Sequence, residues 1–118
     1  MEERIYDSEI KLMELVWANE PVSAKELSLL AAQTIGWNKN TTYTVIKKLE
    51  AKGYLNRTDP GYICTSRISR EDVRRSETRG LVNKLFGGSR KALFSSLLQD
   101  EDLTDAELSE LRRLIDER

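Results

Sequence analysis

The chain has 118 residues, 39% of them apolar, with 19 basic and 20 acidic side chains and a net charge of −1; that is one domain or two very small ones, with a modest core. With no histidine and a single cysteine, Cys64, one chain holds no nitrogen- or thiolate-ligated metal site and no Ser-His-Asp or Cys-His constellation. There is also no P-loop, GxGxxG or HExxH motif, so no cofactor, metal or catalytic residue is expected. The acidic start, the absence of an apolar run of about 18–20 residues and the unpaired thiol point to a cytoplasmic protein without signal peptide or membrane span.

Asp7 is placed to cap a first helix over 8–18, along which Ile10, Met13, Val16 and Trp17 recur at helical spacing. Pro21-Val22-Ser23 is a short extended piece. Ser23 also opens a capping-box pattern in which Glu26 reaches back to the start of a helix over 24–34. That helix presents Ala24, Leu27, Leu30 and Ala31 on one side. A third helix begins near Asn38 or Lys39 and ends at Gly53, a residue type suited to the position just past a helix end. The period then changes. Two short β-type runs, 54–57 and 61–65, flank the turn signal Asp59-Pro60-Gly61. Helical patterns resume over 70–86, stopped by Gly87-Gly88, then over 90–99, then from the capping box Thr104-Asp105-Ala106-Glu107 to the end.

The fold expected from this order is mainly α with a small β-hairpin. It is a winged helix-turn-helix DNA-binding domain over 1–68, followed by a three-helix dimerisation module over 69–118.

On a helical wheel Thr42, Val45, Ile46 and Leu49 form a buried stripe, and Asn40, Tyr43, Thr44, Lys47 and Ala51 lie opposite, flanked by Thr41 and Lys48. A merely solvated helix would favour Glu, Gln and Ala there. Short hydroxyls and amides near a helix N-terminus instead suit base edges and phosphates in a major groove, with Lys47 and Lys48 near the backbone and Arg57 on the wing. The alternative is local: Thr41 caps the helix and Tyr43 lies on a neighbouring element. Charge distribution favours the first reading. Residues 1–36 carry −4, residues 37–91 carry +8 and residues 92–118 carry −5, so a basic middle hides inside a near-neutral total. Trp17 and Trp37 read as core or hinge packing, and Cys64 as a small strand residue.

Leu81, Val82, Leu85 and Phe86 share one side of the fourth helix; Leu93, Phe94, Leu97 and Leu98 recur on the fifth; Leu108, Leu111, Leu114 and Ile115 line the last. Three short helices cannot bury all of these among themselves, and a two-fold dimer could. The alternative is that they fold back on their own winged domain.

Two runs carry a family resemblance. Ile10, Met13, Val16 and Trp17 precede Trp37-Asn38-Lys39-Asn40-Thr41, then Thr44, Ile46, Leu49 and Lys52-Gly53-Tyr54-Leu55. Further on come Leu85-Phe86-Gly87-Gly88, Leu93-Phe94, Leu97-Leu98, Asp102-Leu103-Thr104, Glu107-Leu108 and Leu111. This order resembles the penicillinase-repressor family, which includes repressors of β-lactamase and methicillin-resistance genes. The resemblance covers nearly the whole chain and implies a dimeric winged-helix repressor on a palindromic operator, with the C-terminal helices as dimer interface. It implies DNA contacts at Lys39, Asn40, Thr41, Tyr43, Thr44, Lys47, Lys48 and Arg57. It also implies inactivation by a regulatory protease within the second C-terminal helix. Two departures stand out. The family's cleaved Asn-Phe bond falls on Ser96-Leu97 here, and the paired Cys-x-Cys motifs of a copper-responsive branch are missing.

The function expected is therefore a sequence-specific transcriptional repressor, without catalytic activity, of a β-lactam-resistance-type operon. The rival is a winged-helix protein-interaction module that lacks specific DNA binding.

Overall fold

The computed structural model describes residues 4–118, which divide into two compact units, one ending at Arg74 and the other spanning Arg75–Arg118. The first holds α1 (Asp7–Asn19), β1 (Val22–Ser23), α2 (Ala24–Thr34), α3 (Lys39–Ala51), β2 (Leu55–Thr58), β3 (Ile63–Ser66) and the start of α4 (Arg70–Phe86). The second holds the rest of α4, α5 (Arg90–Leu98) and α6 (Asp105–Asp116). The expected winged helix is thus present, three helices packed on a small antiparallel sheet. No helix among the described residues is long and apolar enough to cross a membrane.

Local chemistry explains the element ends. The Ser23 hydroxyl accepts the Glu26 amide at 3.0 Å and starts α2, and Thr104 and Glu107 close a reciprocal capping box on α6. Gly53 takes φ +81, the left-handed turn past α3 that glycine adopts without steric cost. The first helix differs from expectation. It starts one residue earlier, with Tyr6 rather than Asp7 at the cap, because the Glu9 carboxylate reaches back to the Tyr6 amide at 2.8 Å. The β runs also sit later than expected, at 55–58 and 63–66. Val22 and Ser23 are not merely extended. They pair with Cys64 and Ile63, making β3 the centre of a three-stranded sheet in the order β1-β3-β2.

The core of the first unit is built from Leu12, Met13, Val16, Leu27, Ile46, Leu49, Leu55 and Cys64, each almost wholly buried, and Val73 at the start of α4 joins it. Each such large side chain contributes about 1.5–3 kcal/mol by leaving water. On α1 the buried positions are Glu9, Leu12, Met13 and Val16, while Ile10 and Trp17 pack partly exposed against the core. Trp17 and Trp37 do pack as core or hinge residues, and the Trp17 indole donates to the Ile68 carbonyl at 2.9 Å.

Two carboxylates fasten the parts. The Glu9 side chain is 3% exposed and pairs with Lys52, at the end of α3, at 2.8 Å; the same ammonium donates to the Arg4 carbonyl at 2.9 Å and lies 4.6 Å from the Tyr6 ring centroid. Glu20, capping α1, accepts the Ser66 amide at 2.8 Å and the Ser66 hydroxyl as well, which fixes the end of β3 to the first helix.

Candidate nucleic-acid interface

Helix α3 begins where the Asn38 side-chain oxygen accepts the Thr41 amide at 2.8 Å. The first intrahelical bond runs from the Thr42 amide to the Asn38 carbonyl at 3.1 Å. The amides of Lys39 and Asn40 precede that bond and lie at the positive end of the helix dipole. Thr42 is buried with Val45, Ile46 and Leu49, and its hydroxyl returns to the Asn38 carbonyl at 3.2 Å. The cap is therefore Asn38, and Thr41 is left outward.

The opposite face is open. Lys39, Asn40, Thr41, Thr44, Lys47 and Lys48 are all exposed, and Tyr43 is half-buried. The Thr44 hydroxyl donates to the Asn40 carbonyl at 2.8 Å, so its proton is used within the helix and its oxygen is left as an acceptor on an exposed residue.

From Tyr43 the surface continues onto the hairpin. The Lys39 ammonium lies 5.8 Å from the Tyr43 ring centroid. The Tyr43 ring meets the Tyr62 ring edge-on, with centroids 6.1 Å apart and planes at 84°. Arg57 of β2 stacks 3.7 Å over the other side of this cluster, on the Tyr62 ring, and is paired with Asp59 at 3.1 Å. The Tyr62 hydroxyl donates to Glu50 at 3.3 Å. Burial, and then the nearby Glu50 carboxylate, push the phenol above its ordinary pKa, which keeps it a donor. The Tyr43 ring thus leans on a neighbouring element, edge-on against Tyr62, while the residue stays on the open face.

Tyr62 and Asn38 were not among the sequence candidates, and neither was Asp59. Tyr62 carries a backbone signal that no sequence pattern gives: its φ is +51, a left-handed conformation that costs a non-glycine residue about 1–3 kcal/mol. The Tyr62 carbonyl accepts the Ala24 amide at 2.9 Å, tying this turn to the start of α2. Cys64, beside it in β3, is buried. Its burial, with Glu50 next in effect, pushes the thiol up to about 11.

The remaining candidates lie in the second unit. Leu81, Leu85, Phe94, Leu97, Leu98, Leu114 and Ile115 are exposed in the single chain, up to 65% for Leu85 and 70% for Ile115. Phe86, Leu93, Leu108 and Leu111 are half-buried, and Val82 is buried within its own chain and so has least to offer a partner. Ser96 and Leu97 are exposed on α5. Among the described residues no cluster of histidine, cysteine or acidic side chains stands ready to hold a metal.

A family model described as penicillinase repressor matches residues 5–117. The chain is 23% identical over 116 residues to the penicillinase repressor of Bacillus licheniformis, covering 97% of this chain and 91% of that protein. It is 27% identical over 112 residues to the penicillinase repressor of Staphylococcus aureus, covering 93% and 89%. To the methicillin resistance regulatory protein MecI of Staphylococcus aureus it is 24% identical over 116 residues, covering 97% and 94%. Among solved structures, the Bacillus licheniformis BlaI monomeric form in complex with the blaP half-operator aligns with a TM-score of 0.54 at 26% identity, over 61% of this chain and 90% of that one. The DNA binding domain of the repressor BlaI aligns with the same score and identity, over 93% of its length.

Proposed function

Since the chain belongs to the penicillinase repressor family, we propose that it is a sequence-specific DNA-binding repressor of the β-lactam-resistance type, acting as a homodimer on a palindromic operator. The observation that carries this reading is the open face of α3. Six polar or cationic residues stand exposed from the first to the last turn of a helix whose buried stripe is fully occupied. In the proposed complex Asn40, Thr41, Tyr43 and Thr44 face base edges in the major groove. Lys39, Lys47, Lys48 and, on the wing, Arg57 meet phosphates. The solved likeness to a half-operator complex supports the same use of this unit.

Dimerisation is supported by the exposed leucines of α4, α5 and α6, which a second copy would cover. Two copies related by a two-fold axis present two reading helices to half-sites one or a few helical turns apart. The exposed Ser96-Leu97 bond on α5 is the position at which a regulatory protease would release the dimer.

The test is fluorescence anisotropy at physiological salt. One duplex carries the blaP half-operator as an inverted repeat, and the other is a scramble of the same composition. Sequence-specific repression requires a preference of about 1,000-fold or more. Equal, steeply salt-dependent binding to both would refute specificity for this operator. No binding to either would favour the protein-interaction module.

A further inference from the structure

Resting on that reading, we infer that Tyr62 is a positioning residue for operator binding, joining the wing arginine to the reading helix so that the two engage DNA as one unit. No DNA-contact role was expected of it, yet three groups converge on its side chain and a fourth joins them through Tyr43. Arg57 stacks on its ring at 3.7 Å, Tyr43 abuts it at 6.1 Å between centroids, Glu50 accepts its hydroxyl at 3.3 Å, and through Tyr43 the row reaches Lys39.

The backbone adds an independent argument. A φ of +51 favours glycine or asparagine, so a tyrosine is held there against local preference. The preceding residue, Gly61, already supplies the turn with φ +96. A turn needing only to reverse the chain has no use for an aromatic ring at this point. A ring that carries a guanidinium on one side and leans on the reading helix on another has one.

Stacking orients Arg57 without using up all its N–H donors. The planar guanidinium has five, and among the described residues only Nε is engaged, by the Asp59 carboxylate. The remaining edge is free to meet a phosphate. Without the ring, Arg57 becomes a flexible side chain that must be ordered at each binding event, with loss of affinity and of register between wing and groove.

The test uses the full chain and a duplex enriched by it from a random-sequence pool. Tyr62→Gly and Tyr62→Asn both suit the turn conformation and retain the fold by circular dichroism. Each is expected to weaken binding about tenfold and to flatten the log–log salt slope by about 0.9 for each wing released. Arg57→Ala is expected to do the same, and Arg57→Ala/Tyr62→Gly to bind no more weakly than Arg57→Ala alone. Tyr62→Phe, which keeps the ring, restores the unaltered slope. Folded Tyr62→Gly and Tyr62→Asn proteins with unaltered affinity and slope would overturn the inference, as would losses from Arg57 and Tyr62 that multiply independently. If the unaltered protein enriches no sequence, the proposed function falls and this inference with it.

Discussion

Lys52→Met tests how α3 is held in place. The change keeps most of the length of the side chain and removes the charge, leaving the Glu9 carboxylate, 3% exposed, with only the Tyr6 amide as a partner among the described residues. One of its oxygens already has no hydrogen bond among the described residues. Removing one member of a buried pair costs about 3–5 kcal/mol, because the other charge stays buried and uncompensated. Lys52 itself is 13% exposed, and water reaching the vacated position puts the expected loss at the low end, about 3 kcal/mol. For a unit of this size each 1 kcal/mol lowers the melting temperature by about 4–8 °C. The transition should therefore fall by about 12–24 °C at fixed protein concentration. Tryptophan fluorescence reports it directly, since Trp17 and Trp37 both pack on the affected core. The double variant Glu9→Met/Lys52→Met should recover most of the loss, because two apolar chains of similar volume replace the pair. A loss below about 1 kcal/mol for Lys52→Met, with no coupling in the double-mutant cycle, would mean that the pair behaves like an exposed one and that the reasoning is wrong.

Other outcomes follow from the same geometry. Lys47→Ala and Lys48→Ala should each weaken binding to all duplexes alike and flatten the salt slope by about 0.9 for every phosphate left without its lysine, whereas Asn40→Ala should narrow the gap between operator and scramble by about 1–3 kcal/mol; titrations at several salt concentrations separate the two. Leu85→Glu with Ile115→Glu should give a monomer by analytical ultracentrifugation while the first unit's circular dichroism is kept, since both side chains are exposed within the chain. Asp59→Asn should tighten DNA binding up to about fivefold, because the exposed pair it breaks is worth at most about 1 kcal/mol and Arg57 gains a free edge; weaker binding would show that the carboxylate is needed to aim the arginine. Cys64, with its thiol pushed up to about 11 by burial, is about one part in a thousand thiolate at pH 8, so a disulfide reagent should modify the native protein at least about 100-fold more slowly than the urea-unfolded chain.

Much of this was legible in the sequence for identifiable reasons. Helices α2, α3 and α6 announce themselves through caps and periodicity. The open face of α3 follows from its wheel, because Thr42, Val45, Ile46 and Leu49 leave one side for the polar residues. What escaped depends on partners distant in the chain. Glu9 reads as a solvated acid on the first turn of a helix, and only Lys52, which the fold brings from the far end of α3, makes its burial tolerable. The first cap shifted for the same cause, since that carboxylate also takes the Tyr6 amide. Val22 and Ser23 are too few to declare a strand until Ile63 and Cys64 offer them a ladder. Tyr62 looked like one more β-former after a turn; its left-handed φ and its ring contacts exist only once the hairpin packs on α3.

The internal bond of Thr44 would limit what the proposed reading helix can tell apart. With its proton given to the Asn40 carbonyl, the side chain would, in the proposed complex, meet the groove as an acceptor with a methyl group. Cytosine and adenine each project an exocyclic amine that such an acceptor can take, and thymine offers its own methyl for apolar contact. Guanine presents two acceptors there and finds no donor. In the proposed complex Thr44 therefore works as a filter against one base, and the operator letter opposite it is defined by exclusion.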